Sequence, residues 1–179
     1  MARLPWRNDL RIPTKKIDEL FPEMDCTRSP ELLFPFPRTL GVLPPIPGQN
    51  EVGFFYWDQP AKARIKQLFV SVDAWDSRPY RASAEIVFCD ACDRMPGLAA
   101  EAYQAFSVIK PGGVILRHDY STAEGPTRFW EWLARRLPIF QIEGTVMLCL
   151  RVDTDEVYKN VQALLQHPLL KNSVDFSQD

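Results

Sequence analysis

The sequence predicts an α/β fold with a mostly parallel sheet that ends in an antiparallel hairpin. Residues 84–120 show a strand, a helix, a tight turn and a second strand in that order, which is the pattern of a βαβ unit. The two strand segments, EIVFC and GVILR, are short and mainly apolar, as expected for parallel strands that are covered on both faces. Further along, the segments IFQIE and VMLCLRV are separated by Gly144 and Thr145, which favours a hairpin.

The helices of this half have recognisable starts and ends. Pro96 suits the first turn of a helix with one apolar stripe, and the KPGG turn at residues 110–113 stops it. Gly125 begins a second helix. Thr154 caps a last helix, which Pro168 ends.

The N-terminal part of the chain differs from the rest in its high proline content. Ten of the sixteen prolines fall in the first 60 residues, so residues 1–50 are predicted to form an extended arm, with no regular helix or central strand in Phe34–Gly48. The arm is too apolar for a solvated linker and is expected to lie on its own domain or on a neighbouring chain. Residues 51–167 are predicted to form the α/β domain and residues 168–179 a tail.

Between the arm and the βαβ unit, two further strands are predicted. The segments VGFFYWD and LFVSV have strand composition, and QPAKARIKQ between them reads as a short helix or turn. Asp58 and Asp73 directly follow these two strands. The aromatic residues of the first segment are predicted to pack in the core.

Composition narrows the functional classes. The chain has 179 residues and a net charge of −2, which disfavours a general nucleic-acid or acidic-membrane surface. It contains no apolar run of membrane-spanning length, so a soluble intracellular protein, free or bound in a complex, is expected. Four cysteines are too few for a disulfide scaffold, and the CxxC pair Cys89 and Cys92 is predicted to be reduced and buried.

A basic residue recurs every fourth position near the N-terminus, at Arg3, Arg7, Arg11 and Lys15. Three interpretations stay open: an organelle-targeting-like segment, for which a mitochondrial location is one option, a basic arm that contacts an acidic partner, and a solvated tail.

Two acidic residues end the strands of the βαβ unit. Asp90 and Asp119 follow the last apolar residues of the two strands. Since the carboxyl ends of parallel strands meet at one edge of a sheet, and open α/β folds bind ligands at that edge, this pair is a candidate site.

The segments AEIVFCDACD and VIKPGGVILRHDY, together with the terminal hairpin, resemble class I S-adenosylmethionine-dependent methyltransferases of the small-molecule O-methyltransferase type. The resemblance covers about residues 52–152 and implies a Rossmann-like fold, truncated or degenerate in its N-terminal half. In metal-dependent members, carboxylates at the ends of the fourth and fifth strands hold a divalent cation, which by position implies Asp90 and Asp119 here. Tyr120 stands where a third ligand is usual, and His118 is a candidate catalytic base.

The same resemblance implies where S-adenosylmethionine would bind. Asp58 matches the acidic residue that holds the ribose hydroxyls, and Asp73 with Ala74 matches the loop beside the adenine. Family members also have a Gly-rich turn after the first strand, which lets the cofactor approach the backbone closely. This chain has no such turn, and its nearest candidate, LGVLPPIPG, has prolines where backbone amides are needed.

The missing turn sets the functional expectation. The sequence predicts a methyltransferase-like protein that has lost catalysis, binds no cofactor, and serves as an accessory subunit whose residues 1–50 contact other protein subunits. The alternative is an active O-methyltransferase that uses S-adenosylmethionine and a divalent metal on a small hydroxylated substrate. A third option is a binding module that uses the same carboxylate edge for another ligand.

Overall fold

The computed structural model describes residues 12–22, 39–43, 65–90, 92–121 and 124–174, and for residues 39–43 and 65–69 it describes the backbone only. The predicted strand VGFFYWD, the basic residues Arg3, Arg7 and Arg11, and Asp58 lie outside these ranges. No helix in the described ranges has the length and apolarity needed to cross a membrane.

The α/β prediction is confirmed. The described residues form the strands β1 Thr14–Lys15, β2 Thr39–Leu43, β3 Ile65–Phe69, β4 Ala84–Cys89, β5 Ile109–Arg117, β6 Ile139–Ile142 and β7 Leu148–Arg151. They also form the helices α1 Ile17–Leu20, α2 Gly97–Val108, α3 Glu124–Ala134, α4 Asp155–Leu164 and α5 Pro168–Lys171. A short 3₁₀ turn covers Arg78–Tyr80.

Five strands form one mixed sheet in the order β1-β6-β7-β5-β4. Strands β4 and β5 run parallel, and so do β1 and β6, whereas β7 is antiparallel to both of its neighbours. Four strands therefore share one direction, and β7 lies between β5 and β6. The predicted hairpin is confirmed as the β6–β7 pair.

Helices cover one face of this sheet. The side chains of Ile115, Ile139 and Leu150 on that face pack against buried residues of α2, α3, α4 and α5, such as Phe106 and Trp130. We call this the helix-covered face. Alternation along the strands sends their remaining apolar side chains to the opposite side.

The second face of the sheet carries a smaller cluster. Leu20, the last residue of α1, and Phe21, which follows it, pack there against Ile142 and Cys149. Phe88 pairs in register with Leu116, a member of the same cluster, so it belongs to this face too. Phe88 is nevertheless 57% exposed. The apolar run of β4 predicts a strand that is covered on both faces, but the described residues leave the second face open at β4.

The α/β unit extends further than the predicted boundaries at both ends. Residues 12–22 were assigned to the extended arm, yet β1 adds to the sheet beside β6, and Ile12 is buried in the main core. Residues 168–174 were assigned to the tail, yet they include α5, whose Leu170 is fully buried.

Three local predictions differ from the structure. Residues 39–43, inside the proline-rich segment, form β2, which pairs in parallel with β3 in a separate two-stranded sheet. Strand β3 begins at Ile65, so part of the predicted helix or turn is a strand and LFVSV is shifted. The KPGG segment lies within β5, where Gly112 has φ 81° and the register with β4 shifts between Ala84 and Ile86. The glycines therefore make an irregularity in a strand instead of a turn.

Candidate functional site

Three predicted residues meet at the carboxyl edge of β4 and β5. Asp90 follows β4, and His118 and Asp119 follow β5. The Nδ1 atom of His118 lies 3.2 Å from Oδ1 of Asp90 and 3.1 Å from Oδ1 of Asp119. One ligand atom from each residue lies within 4.8 Å of the other two. We call these three residues the edge cluster.

The backbone turns sharply at this cluster. Asp119 has φ 64° and Ser121 has φ 67°, both in the left-handed region. Such a conformation costs free energy for a residue with a side chain, although aspartate tolerates it better than most. The backbone amide of Ser121 donates to Oγ1 of Thr127 in α3, which helps to hold the turn. The turn brings the Asp119 carboxylate back towards His118.

Arg117 is a central residue that the sequence analysis did not single out. Its side chain is 1% exposed, and it donates to the carbonyls of Cys89 at 3.0 Å and Cys92 at 2.7 Å. It therefore ties the loop after β4 to the end of β5. The strand period gave a signal, because Arg117 lies two positions after Ile115 and therefore points to the same, helix-covered face.

Among the residues that the structure describes, carboxylates outnumber cations around Arg117. Its guanidinium nitrogens lie 3.8 Å from Asp90, 3.6 Å from Asp93 and 3.6 Å from the buried Glu101 of α2. Asp119 is a fourth carboxylate nearby, and it contacts His118. The described side chains at this edge therefore include more carboxylates than arginines, which favours the binding of a cation there.

The edge cluster fits a divalent metal ion. Carboxylate and imidazole ligands bind such ions at about 2.0–2.6 Å, so neighbouring ligand atoms of one ion are about 3 Å apart and opposite ones between 4 and 5 Å. The distances in the cluster lie in this range. Asp90 and Asp119 would supply the oxygen ligands, and His118 would supply nitrogen.

Tyr120, the residue at the usual third-ligand position, does not face this cluster. It is buried in the main core, and its hydroxyl oxygen accepts a hydrogen bond from the backbone amide of Ile12 at 3.5 Å. The segment before β1 is thereby attached close to the edge. His118, predicted as a base, is the third group that the structure brings to the two carboxylates.

The predicted cofactor residues are only partly described. Asp58 lies outside the described residues. Asp73 and Ala74 lie in a loop that Gln104 of α2 fixes, because the Nε2 atom of Gln104 donates to the carbonyls of Val72 at 3.0 Å and Trp75 at 2.7 Å. This loop is rigidly attached to the helix that follows β4.

The two thiols of the CxxC pair have raised pKa values. Cys89 is buried and Cys92 is half-buried, and both are free thiols. Burial, followed by the nearby Glu101 carboxylate, raises the pKa of the Cys92 thiol to about 11. The same causes raise the pKa of Cys89 well above its ordinary value. A thiolate is the reactive form, so neither residue is poised for redox or metal chemistry at neutral pH.

We expect Cys92 to alkylate slowly at neutral pH. A pKa near 11 leaves about a hundredfold less thiolate than a free thiol has at pH 8. Mass spectrometry after iodoacetamide treatment should show a rate at Cys92 that keeps rising with pH up to about 11. The urea-unfolded chain is the control, and a rate that levels off below pH 9 would contradict the shift.

The chain has no match among protein-family models, and a search of curated proteins finds no matching relative.

Proposed function

We propose that this chain is a methyltransferase-like α/β protein that has lost catalysis and serves as an accessory subunit of a larger protein assembly. The observation that carries this proposal is that other side chains of this chain already contact both carboxylates of the carboxyl edge. His118 contacts both Asp90 and Asp119, and the buried Arg117 contacts Asp90. Carboxylates that are already paired in this way offer less to a substrate or cofactor.

Two features of the fold support the methyltransferase part of the proposal. The terminal pair β6 and β7 is antiparallel, as the resemblance implies for the end of the sheet. The two strands that end in the candidate carboxylates are parallel neighbours joined by α2, which is the arrangement implied for the fourth and fifth strands.

The sequence upstream of β4 supports the loss of catalysis. It contains three glycines, Gly41, Gly48 and Gly53, and no two of them are closer than five positions. A turn that cradles a cofactor needs closely spaced glycines, because a Cβ atom blocks the approach to the backbone. The chain has no such spacing before β4.

Phe88 supports the accessory role. A large apolar side chain that is 57% exposed, on the sheet face that α/β proteins normally cover, is typical of a protein contact. Within the described residues, the apolar side chains that pack on this face from outside the sheet are those of Leu20 and Phe21. They lie near the edge of the sheet opposite to β4. Phe88 is therefore our candidate anchor for a partner subunit.

Calorimetric titration tests the loss of catalysis. We expect the full chain to give no binding heat with S-adenosylmethionine or S-adenosylhomocysteine at millimolar ligand. Saturable binding in the micromolar range, about −8 kcal/mol, would overturn the proposal, because that affinity requires a formed cofactor pocket.

Substitution of Phe88 tests the accessory role. We expect Phe88→Asp to release the chain from its native complex while its free energy of unfolding changes by less than about 0.5 kcal/mol, as for other exposed sites. Native mass spectrometry of the purified complex measures the first effect and urea denaturation the second. Met95→Asp is the matched control, since Met95 is 46% exposed but lies in the loop before α2. A complex that survives Phe88→Asp argues against this anchor.

The edge cluster favours a second candidate, an active O-methyltransferase that acts on a small hydroxylated substrate. A divalent cation bound there would lower the pKa of a coordinated substrate hydroxyl. Asp90 and Asp119 would hold the cation, while His118 would act as a ligand or take up the hydroxyl proton. Repeating the titration with Mn²⁺ present distinguishes this candidate. It requires Mn²⁺-dependent binding of S-adenosylmethionine that Asp119→Asn abolishes and that Asp93→Asn, on the neighbouring loop, preserves.

A further inference from the structure

A cavity of about 260 Å³ opens on the second face of the sheet. Its lining includes Leu20 and Phe140, which belong to the small cluster of that face, together with four charged side chains, Lys15, Glu19, Arg151 and Asp153. The cavity lies away from the edge cluster. Arg151 pairs in register with Val114, whereas Leu148 at the other end of β7 pairs with Arg117.

Two of the charged side chains, Lys15 and Glu19, form no ion pair with another described residue. The ammonium group of Lys15 lies over the ring of Phe140, 4.0 Å from its centroid. Glu19 is exposed in α1, and within the described residues neither Lys15 nor Glu19 forms an ion pair. A positive and a negative group thus face one cavity without neutralising each other.

The other two charged side chains, Arg151 and Asp153, contact each other and the neighbouring elements. Nε of Arg151 lies 3.6 Å from a carboxylate oxygen of Asp153. The guanidinium of Arg151 also donates to the carbonyl of Leu20 and lies 5.5 Å from the ring centroid of Phe21. These contacts attach α1 to β7 and hold the apolar side of the cavity in place.

We propose that this cavity binds a small zwitterion with an apolar side chain, such as a free aliphatic α-amino acid. The ligand's carboxylate pairs with Lys15, its ammonium group pairs with Glu19, and its side chain packs on Phe140 and Leu20. The volume is slightly below that of pockets for drug-sized ligands, about 300–1,000 Å³, and suits a smaller molecule. Partly exposed ion pairs contribute modestly, so the expected affinity is millimolar. The inference is independent of the proposed function.

An NMR titration of the ¹⁵N-labelled full chain with L-leucine tests the proposal. N-acetyl-L-leucine lacks the ammonium group and L-leucinamide lacks the carboxylate, so each removes one of the two proposed ion pairs. We expect saturable shifts at Lys15, Glu19 and Phe140 with leucine, and weaker binding of both analogues. Lys15→Gln and Glu19→Gln should each raise the dissociation constant about two- to fivefold.

Lys16→Gln is the matched control, because Lys16 is the exposed neighbour of Lys15 and does not line the cavity. Unchanged leucine binding in this variant supports the proposal, and the overall spectrum of each variant reports that it is folded. The proposal is overturned if leucine gives no saturable shifts at millimolar concentrations, if both analogues bind as tightly as leucine, or if Lys15→Gln and Glu19→Gln bind leucine like the unsubstituted chain.

Discussion

Replacing Arg117 by methionine is expected to lower the free energy of unfolding by about 3–5 kcal/mol. Arg117 is 1% exposed and its Nε lies 3.6 Å from the carboxylate of Glu101, which is 6% exposed. Removing the guanidinium takes the Arg117 charge away from this buried carboxylate, and breaking an ion pair at a buried charge is costly. Urea denaturation monitored by circular dichroism measures the change.

The same substitution also acts on the candidate site. Arg117 donates to the carbonyls of Cys89 and Cys92, so its loss frees the loop that carries Asp90. We expect the amide signals of residues 89–93 to shift, whereas those of the α4 region stay in place. A change in stability without a change at this loop would assign Arg117 a packing role alone.

Two further variants separate charge from packing in this prediction. Arg94→Met changes an exposed arginine in the same loop and should alter the free energy of unfolding by less than about 0.5 kcal/mol. The double variant Arg117→Met/Glu101→Met replaces the buried pair by apolar side chains and should recover part of the loss, as buried pairs often do. If the double variant is no more stable than Arg117→Met alone, the buried charge of Glu101 is not the cause.

The βαβ unit was predictable because its signals are local. The apolar runs of β4 and β5, the stripe of α2 and the acids at the strand ends all lie within 37 residues, and the structure brings Asp90 and Asp119 together as the strand ends predict. The role of His118 was less predictable. Its contact with Asp119 accompanies the left-handed turn at Asp119, and the sequence gives little sign of such a turn.

The elements that were missed depend on distant contacts. Strand β1 is two residues long and has no periodic pattern, and it exists because its backbone pairs with β6 more than 120 positions away. Strand β2 lies among prolines, but its own five residues, TLGVL, contain none and can pair with β3. In both cases the tertiary partner determines the strand, and local composition does not reveal that partner.

Helix α5 shows how one sequence signal can have two meanings. Pro168 was interpreted as the end of the last helix, and it does follow α4, but it is also the first residue of α5. Proline ends one helix and fits the first turn of the next for the same reason, the absence of a backbone donor. His167 completes the start of α5, because its Nδ1 accepts a hydrogen bond from the backbone amide of Leu169 at 3.2 Å.

Leu170→Ala is accordingly expected to cost about 2–5 kcal/mol, because Leu170 is fully buried in the main core and α5 packs on α2. The sequence predicts that residue 170 lies in the tail. A substitution in a frayed tail would lower the stability much less than this. Differential scanning calorimetry of the two proteins measures the change in thermal midpoint and unfolding enthalpy.

Lys171→Ala is the control for this prediction, since Lys171 follows Leu170 in the same short helix and is exposed. It should leave the midpoint almost unchanged, which separates the buried contact from the propensity of the helix. If Leu170→Ala is as mild as Lys171→Ala, α5 does not contribute to the core. The support of α2 would then come from α4, the 3₁₀ turn at Arg78–Tyr80 and the sheet.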